Sequence, residues 1–537
     1  MLIRIANFKG LAPSINPASL PEQAAQIAKN CHLNRGDISP LGGTTFVAAP
    51  TKAGTILSIF PFATKWFNWI SDVDICKAPL ADDQWERVYF AGGDTFPPQY
   101  TVPAYATAGA DYPTASYKLG IPAPADAPTI AVVGTPTSED PTLVETRAYV
   151  YTFVSAYGEE GPPSPVSILL DVAPGQSVAL SGLLTTAGTG YNLSKKRIYR
   201  TNTGSSGTEY QLVNSDDALM MATTIYSDTV ASASLGSVLA SATWDPPPAT
   251  LHSLIALPCG SLAGLYKNQL CFSEPYQPHA WPMEYRISFD ADAVAIGAYG
   301  NNIVVTTKGL PYVVSGSHPS SMGYERLEEG SSCVSKRGMV DMGYAAIWPT
   351  QNGLMFAGMG AVRLLTQGLI TQKDWAAYLP ATIHAYLWDK KYVAFWSNSS
   401  GHSGFIFDPE TGDLTFHDIA ATAGYHDPLT GTLYLVVGGQ IVTWDSSAAL
   451  TYTWKSKKFV LPTPANFSCA QVVAGSYPLI AKFYADGVLR HTQSVSSATP
   501  FRLPGGFRPE SYEVEISGTP KVTMVALATS MQELASV

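Results

Sequence analysis

The residues of this chain best suited to chemistry lie in the stretch Asp408-Pro409-Glu410-Thr411-Gly412-Asp413. Two carboxylates about 5 Å or about 6.5–9.5 Å apart across a cleft, one with a raised pKa, can hydrolyse a glycosidic bond. Asp408 and Asp413 are the pair such a site would draft. The same stretch also has what a tight hairpin loop needs. Pro fixes φ, Gly accepts positive φ, and Asp accepts hydrogen bonds from the loop's own backbone. His426-Asp427-Pro428-Leu429-Thr430-Gly431-Thr432 repeats the device shortly afterwards. A feature that recurs at structural spacing reads as a turn, so no catalytic residue is assigned.

The other candidates are weaker. His417 and His426, each followed by an aspartate (Asp418, Asp427), have side chains fit for zinc ligation or proton transfer. No H-E-x-x-H accompanies them, so no metal ligand is assigned. Gly401-His402-Ser403-Gly404 falls one residue short of the nucleophile elbow G-x-S-x-G. Neither G-x-x-x-x-G-K-[ST] nor G-x-G-x-x-G occurs, so no nucleotide or other cofactor is expected. Six cysteines are scattered without a C-x-x-C pair and read as buried free thiols.

The elements that must position these residues are strands. Only 14% of residues are charged, against about 25% in an average protein, while 45 Gly and 40 Pro supply turns. This suits an all-β chain, and also one whose surface is covered by other subunits, because charge is depleted at interface cores. Net charge is −10. That argues against gripping nucleic acid, which needs clustered Lys and Arg. The one short basic group, Lys195-Lys196-Arg197, reads as a solvated strand edge. Met1-Leu2-Ile3-Arg4-Ile5 lacks the apolar core of a secretory signal, and no apolar run is long enough to span a bilayer. The expectation is a chain made in a cytoplasm, with no membrane insertion. The sequons at Asn192, Asn398 and Asn466 then carry little weight.

At 537 residues the chain should form three or four domains. Residues 1–45 read as an N-terminal helix and hairpin arm. The helix is expected over 19–29, where Ser19 and Glu22 form a capping box, and the hairpin turns at Arg35-Gly36. Residues 46–121 carry short apolar strands and read as a first propeller segment, ending in a Pro/Ala-rich linker. Residues 122–245 form a distinct unit. Tyr149-Val150-Tyr151-Thr152-Phe153-Val154-Ser155-Ala156-Tyr157 alternates with period two, then breaks at Gly158-Glu159-Glu160-Gly161-Pro162-Pro163-Ser164, a strand end similar to those of fibronectin type III domains. Residues 246–450 repeat a turn followed by an apolar strand. From Asn268 to Asn302, Asn352, Lys390 and Thr430 the intervals are 34, 50, 38 and 40 residues. A period near 40 with several strands per repeat is the signature of a β-propeller. Residues 451–537 close the chain with a C-terminal β domain containing a hairpin at Asp486-Gly487. The fold class is therefore all-β: a β-propeller with an inserted fibronectin type III-like β-sandwich and a C-terminal β-rich domain.

Two sets of residues carry a family resemblance. One is the opening Phe8-Lys9-Gly10 with Leu20-Pro21-Glu22-Gln23-Ala24. The other is the closing set Trp454-Lys455-Ser456-Lys457, Phe483-Tyr484-Ala485-Asp486-Gly487, Phe501-Arg502-Leu503-Pro504 and Glu513-Val514-Glu515-Ile516-Ser517-Gly518. With the propeller texture between them, the layout resembles the tail nozzle proteins of short-tailed bacteriophages, also called tail tubular protein B. The resemblance implies a structural virion protein of the tail. It would be a homo-oligomer, a hexameric ring docked on the tail adaptor protein beneath the portal. The ring would carry tail fibre or spike proteins and form the distal exit channel for genomic DNA, without sequence-specific binding and without catalysis. Asp82-Asp83 and Glu328-Glu329 are acidic candidates for a channel wall. The alternative is a host-surface glycan-binding or glycan-degrading tail component; a further rival is a non-viral propeller that scaffolds other proteins.

Overall fold

The computed structural model describes residues 1–204, 207–214, 219–358, 360–396 and 403–534. Strand accounts for 43% of the chain and helix for 8%, so the class is all-β.

Most strands belong to small antiparallel meanders, built as the sequence spacing requires. Tyr266 pairs with Gln269, Tyr299 with Asn302, Thr350 with Gly353 and Trp388 with Lys391, each across a two-residue turn. Positive φ at Lys267, Gly300, Asp389 and Lys390 gives three of these turns a backbone twist that matches the flanking strands. Four-stranded sheets begin at Asp74–Lys77, His252–Ala256, Ala293–Tyr299 and Val340–Asp341. A fifth set of four runs from His384–Trp388 to Leu414–His417. The sixth starts at Ala423–His426 and is completed by Thr45–Ala48 from the other end of the chain, which pairs with Gln440–Thr443. Ser58–Phe62 and Lys65–Trp69 form a hairpin.

These sheets pack in succession through their first strands. Asp74–Lys77 lies against His252–Ala256, which lies against Ala293–Tyr299, and so on through Val340–Asp341, His384–Trp388, Ala423–His426 and Ser58–Phe62. Phe60, Phe67 and Trp69 of the hairpin then share an apolar cluster with Val88 and Phe90 of the first sheet. Each interface buries the alternate apolar residues of two sheets, the usual way a two-faced strand escapes water.

Residues between Tyr117–Lys118 and His252 form a separate unit of two three-stranded sheets and one two-stranded sheet. Tyr149, Tyr151, Phe153, Val178, Leu180 and Ile198 fill its core. Tyr149–Ser155 is buried on both faces rather than one. The second face is covered because Thr152 and Tyr199 both donate to the Glu160 carboxylate at the junction with the rest of the chain. The basic group is not a solvated edge. Lys196 is fully buried, donating to the Thr223 carbonyl at 2.6 Å, and Arg197 is ion-paired to Glu160. Burial lowers the Lys196 ammonium to about 8.

The expected helix over 19–29 does not form. Residues 19–24 make turns and Ala25–Lys29 is a strand, antiparallel to Tyr452–Ser456 and touching Leu414–His417 in parallel at Lys29 and Phe416. Helix propensity differs between residues by only tenths of a kcal/mol, whereas a strand at this position completes two sheets at once. The hairpin that follows does form, with Cys31–His32 on Ser39–Pro40 and positive φ at Arg35 and Gly36. The arm is therefore no separate unit. Leu2–Ile5 pairs with Val522–Ala528, so both ends of the chain build the closing domain. Its main sheet is continuous with the His384–His417 set through Ala25–Lys29, giving ten strands in all.

All six cysteines are free, and Cys31, Cys271, Cys333 and Cys469 are buried.

Candidate functional site

Asp408 and Asp413 end the strand Gly404–Phe407 and begin Leu414–His417. Asp408 Oδ1 accepts from the backbone N–H of Glu410 at 2.9 Å and of Thr411 at 3.2 Å. Asp413 Oδ2 accepts from Thr411 Oγ1 at 2.8 Å, and its Oδ1 accepts from the Gly10 N–H at 2.7 Å. Asp427 repeats the arrangement, taking the Leu429 N–H at 3.0 Å and Thr430 Oγ1 at 2.8 Å. Both loops are hairpin connections in which the first aspartate, Asp408 or Asp427, accepts from the loop's own backbone.

Asp413 also anchors the N-terminal segment in a joint with the closing domain. Phe8 meets Trp454 edge to face, with ring centroids 4.9 Å apart, and Trp454 Nε1 donates to the Lys9 carbonyl at 3.1 Å. Position 10 must be glycine. A Cβ there would lie 2.5 Å from the Leu414 nitrogen, closer than any real contact. Beside the joint lies a cavity of about 390 Å³ lined by Asn7, Lys9, His32, Lys391, Asp408 and Asp413. Cys31 also borders it, and burial pushes its thiol up to about 12, so it is no nucleophile.

Where the first strands of the successive sheets converge, the side chains are charged. Lys336 Nζ sits 2.9 Å from Asp72 Oδ2 and 2.7 Å from Asp74 Oδ2, and Asp74 also accepts the Ser253 N–H at 2.6 Å. Burial raises the Asp74 carboxyl, with Lys336 pulling the other way. Burial opposes the Lys336 charge, but Asp74 and Asp72 overcome it and raise its pKa. Arg337 Nη2 donates to the carbonyls of Leu57 at 2.8 Å and Thr422 at 2.7 Å. His384 Nε2 faces the Ala421 carbonyl at 3.0 Å and so carries the proton, leaving Nδ1 to accept from Tyr386. Burial lowers His384 to about 3 and His252 to about 4. Asp72, Asp74, Lys336, Arg337 and Tyr386 line a cavity of about 270 Å³, and the hydrogen bonds of the cluster tie parts of six sheets together. Two carboxylates sharing one ammonium, with neutral histidines near, make a structural ion-pair node. Sequence reading passed over this cluster. Its available signal was Asp72-Val73-Asp74, whose period-two spacing puts both carboxylates on one side of the chain.

A second node joins the inserted unit to the first sheet. Arg87 Nε and Nη2 each meet Asp83 at 2.9 Å, and Arg87 Nη1 pairs with Glu159. His279 lies 3.0 Å from the Glu160 carbonyl, and burial lowers its pKa. The motif Gly158-Glu159-Glu160-Gly161 thus makes the junction.

The remaining sequence candidates fall apart in space or in role. Asp83 is the Arg87 partner, whereas Asp82 is exposed. Glu328 pairs with Arg326 at the surface and Glu329 is exposed. His417 is buried with Nε2 3.0 Å from the Ala394 carbonyl, and Asp418 pairs with Lys29 at 2.9 Å. Among the described residues no three His, Cys, Asp or Glu side chains are grouped to hold a metal ion. Gly401 and His402 of the near-elbow, and Asn398, lie outside the described residues.

No known family model matches this chain, and no curated protein matches it. Among solved structures it is similar to the WD40 β-propeller domain of Doa1, with 10% identity over 64% of this chain and 88% of that one, at a TM-score of 0.24. It is also similar to PorZ, a surface component of the type-IX secretion system of Porphyromonas gingivalis. That match has 13% identity over 92% and 73% of the two chains, at a TM-score of 0.27. AztD from Citrobacter koseri matches at 11% identity over 70% and 99%, with a TM-score of 0.27. None of the three is described as a phage tail protein.

Proposed function

We propose that the chain is a structural, non-enzymatic subunit of a bacteriophage tail nozzle. In this reading the seven successive sheets would be blades of a propeller, with the pairing of Thr45–Ala48 and Gln440–Thr443 helping to close it, and a fibronectin-like sandwich would interrupt them. Six copies would form a ring on the tail adaptor protein, carry fibre or spike proteins, and enclose the channel through which genomic DNA leaves. One observation carries the reading: residues from both resembling ends of the sequence, Phe8-Lys9-Gly10 and Trp454, meet in a single buried joint. A joint of this kind makes the blades and the closing domain one stiff body, as a tube wall under load requires. The low charge and net charge of −10 support a wall that phosphate slides past. Asp408 is engaged by its own loop and Asp413 by Thr411 and the Gly10 N–H, so they lend no support to a hydrolase.

Electron cryomicroscopy of the native particle containing this chain tests the proposal. Six copies around the tail axis enclosing a channel are the expected result. Copies confined to peripheral appendages, or present as three-fold spikes, would sink it.

A further inference from the structure

A row of aromatic rings runs along the junction between the inserted unit and the first sheet. Tyr105 and Tyr117 are stacked, with centroids 4.5 Å apart and planes 6° from parallel. Tyr117 neighbours Tyr100 at 5.6 Å, Tyr100 neighbours Tyr157 at 6.1 Å, and Tyr157 neighbours Trp85 at 4.6 Å. Tyr100, in the middle of the row, is buried, while the two ends reach solvent, Trp85 at 38% and Tyr105 at 37% exposure.

The row is built rather than incidental. Trp85 rides on a loop fixed from within. The Asp83 carboxylate grips the Arg87 guanidinium and the Arg87 backbone N–H, and Arg87 reaches across to Glu159. Tyr157 stands on the turn that carries Glu159. The buried ion-pair node therefore holds both rings before anything binds, which lowers the entropy lost on binding. The margin is polar. Asn192 hydrogen-bonds the Tyr100 hydroxyl, the Lys118 ammonium lies 5.0 Å over Tyr191, and Gln84 and Glu86 flank Trp85 in solvent.

We propose that this row is a binding strip for an uncharged oligosaccharide. A sugar ring has an apolar C–H face and a rim of hydroxyls, which need flat aromatic faces beside amide, ammonium and carboxylate groups. Single-stranded nucleic acid would also stack, but it requires a basic groove, and this chain is acidic. A proline-rich peptide offers only carbonyl acceptors and leaves Glu86 without a role. The inference does not rest on the ring assembly, and either stands if the other fails.

The test is calorimetric titration of the full chain with cellohexaose, maltohexaose and chitohexaose. At least one should bind saturably. Trp85→Ala and Tyr105→Ala should each weaken that binding about tenfold, the size of a lost aromatic anchor. Trp85→Phe should stay within about threefold, and Met283→Ala, an exposed apolar residue of the turn before Ile287–Ser288, should change nothing. Because Trp85 and Tyr105 are exposed, the variants should keep the parent's denaturation midpoint. The proposal is overturned if none of the three sugars binds at about 10 mM, or if Trp85→Ala and Tyr105→Ala leave binding unchanged. It is also overturned if a decaproline peptide binds at these residues and no sugar does.

Discussion

Phe8 packs edge to face on Trp454, its ring plane 89° from the indole, although the two stand near opposite ends of the chain. Around this contact, Ala25–Lys29 runs between Leu414–His417 and Tyr452–Ser456. Removing the indole should unfasten the closing domain. Trp454→Ala should cost about 3–5 kcal/mol, the range for truncating a fully buried large aromatic, and Trp454→Phe distinctly less. Urea denaturation followed by near-ultraviolet circular dichroism measures it, and a loss below about 1 kcal/mol would show that the joint does not hold the two parts together.

The Lys336 node should behave as a coupled pair. Lys336→Met leaves Asp72 and Asp74 facing each other and should cost about 1–3 kcal/mol, less than a fully buried pair because water reaches the site. Asp74→Asn alone should also destabilise, and the double variant should lose less than the two single losses combined. Additive losses in the cycle would mean that the pair contributes nothing as a pair.

Acid should weaken the fold through its buried histidines. His252 and His384 are held at about 4 and about 3, below the ordinary imidazole value near 6.5. The unfolded chain therefore binds more protons in that interval, and stability falls as pH drops below about 6.5. The slope should approach ~1.4 kcal/mol per pH unit for each histidine. Asp74 acts in the opposite sense, since its raised pKa means the folded state takes up a proton before the unfolded chain does. Denaturation midpoints at pH 7, 6 and 5 check the sign (pH values spanning the ordinary imidazole range). A flat profile, or one unchanged in His252→Asn with His384→Asn, refutes the assignment.

Asp413→Ala should free the N-terminal segment without unfolding the sheets. It removes the acceptor for the Gly10 N–H and for Thr411 Oγ1, a loss of about 1–2 kcal/mol. Limited proteolysis should then cut near residues 8–11 well before any other site. Equal protease resistance in parent and variant would show that other contacts suffice to hold the arm.

Several of these features were legible in the sequence. The two-residue turns at Asn268, Asn302, Asn352 and Lys390 sit where the spacing put them, because hairpin geometry depends on a handful of adjacent residues. The Asp-Pro loops were legible for the same reason: their hydrogen bonds close within six residues. All-β class followed from period-two runs such as Tyr149–Ser155.

What the sequence could not decide were the contacts between distant segments. Ala24 to Lys29 are good helix formers, yet Ala25–Lys29 is a strand, because two sheet edges that meet only in the folded chain outweigh a small local preference. Lys195-Lys196-Arg197 reads as a polar edge, yet Lys196 is buried, because carbonyl and carboxylate partners arrive from elsewhere. The Lys336 node, the Arg87–Glu159 junction and the aromatic row draw residues from several elements. By itself the sequence determined the strands and their local turns, whose energetics are short-range. Tertiary structure decided which edges join and which charges are buried, since those depend on long-range packing that no local pattern encodes.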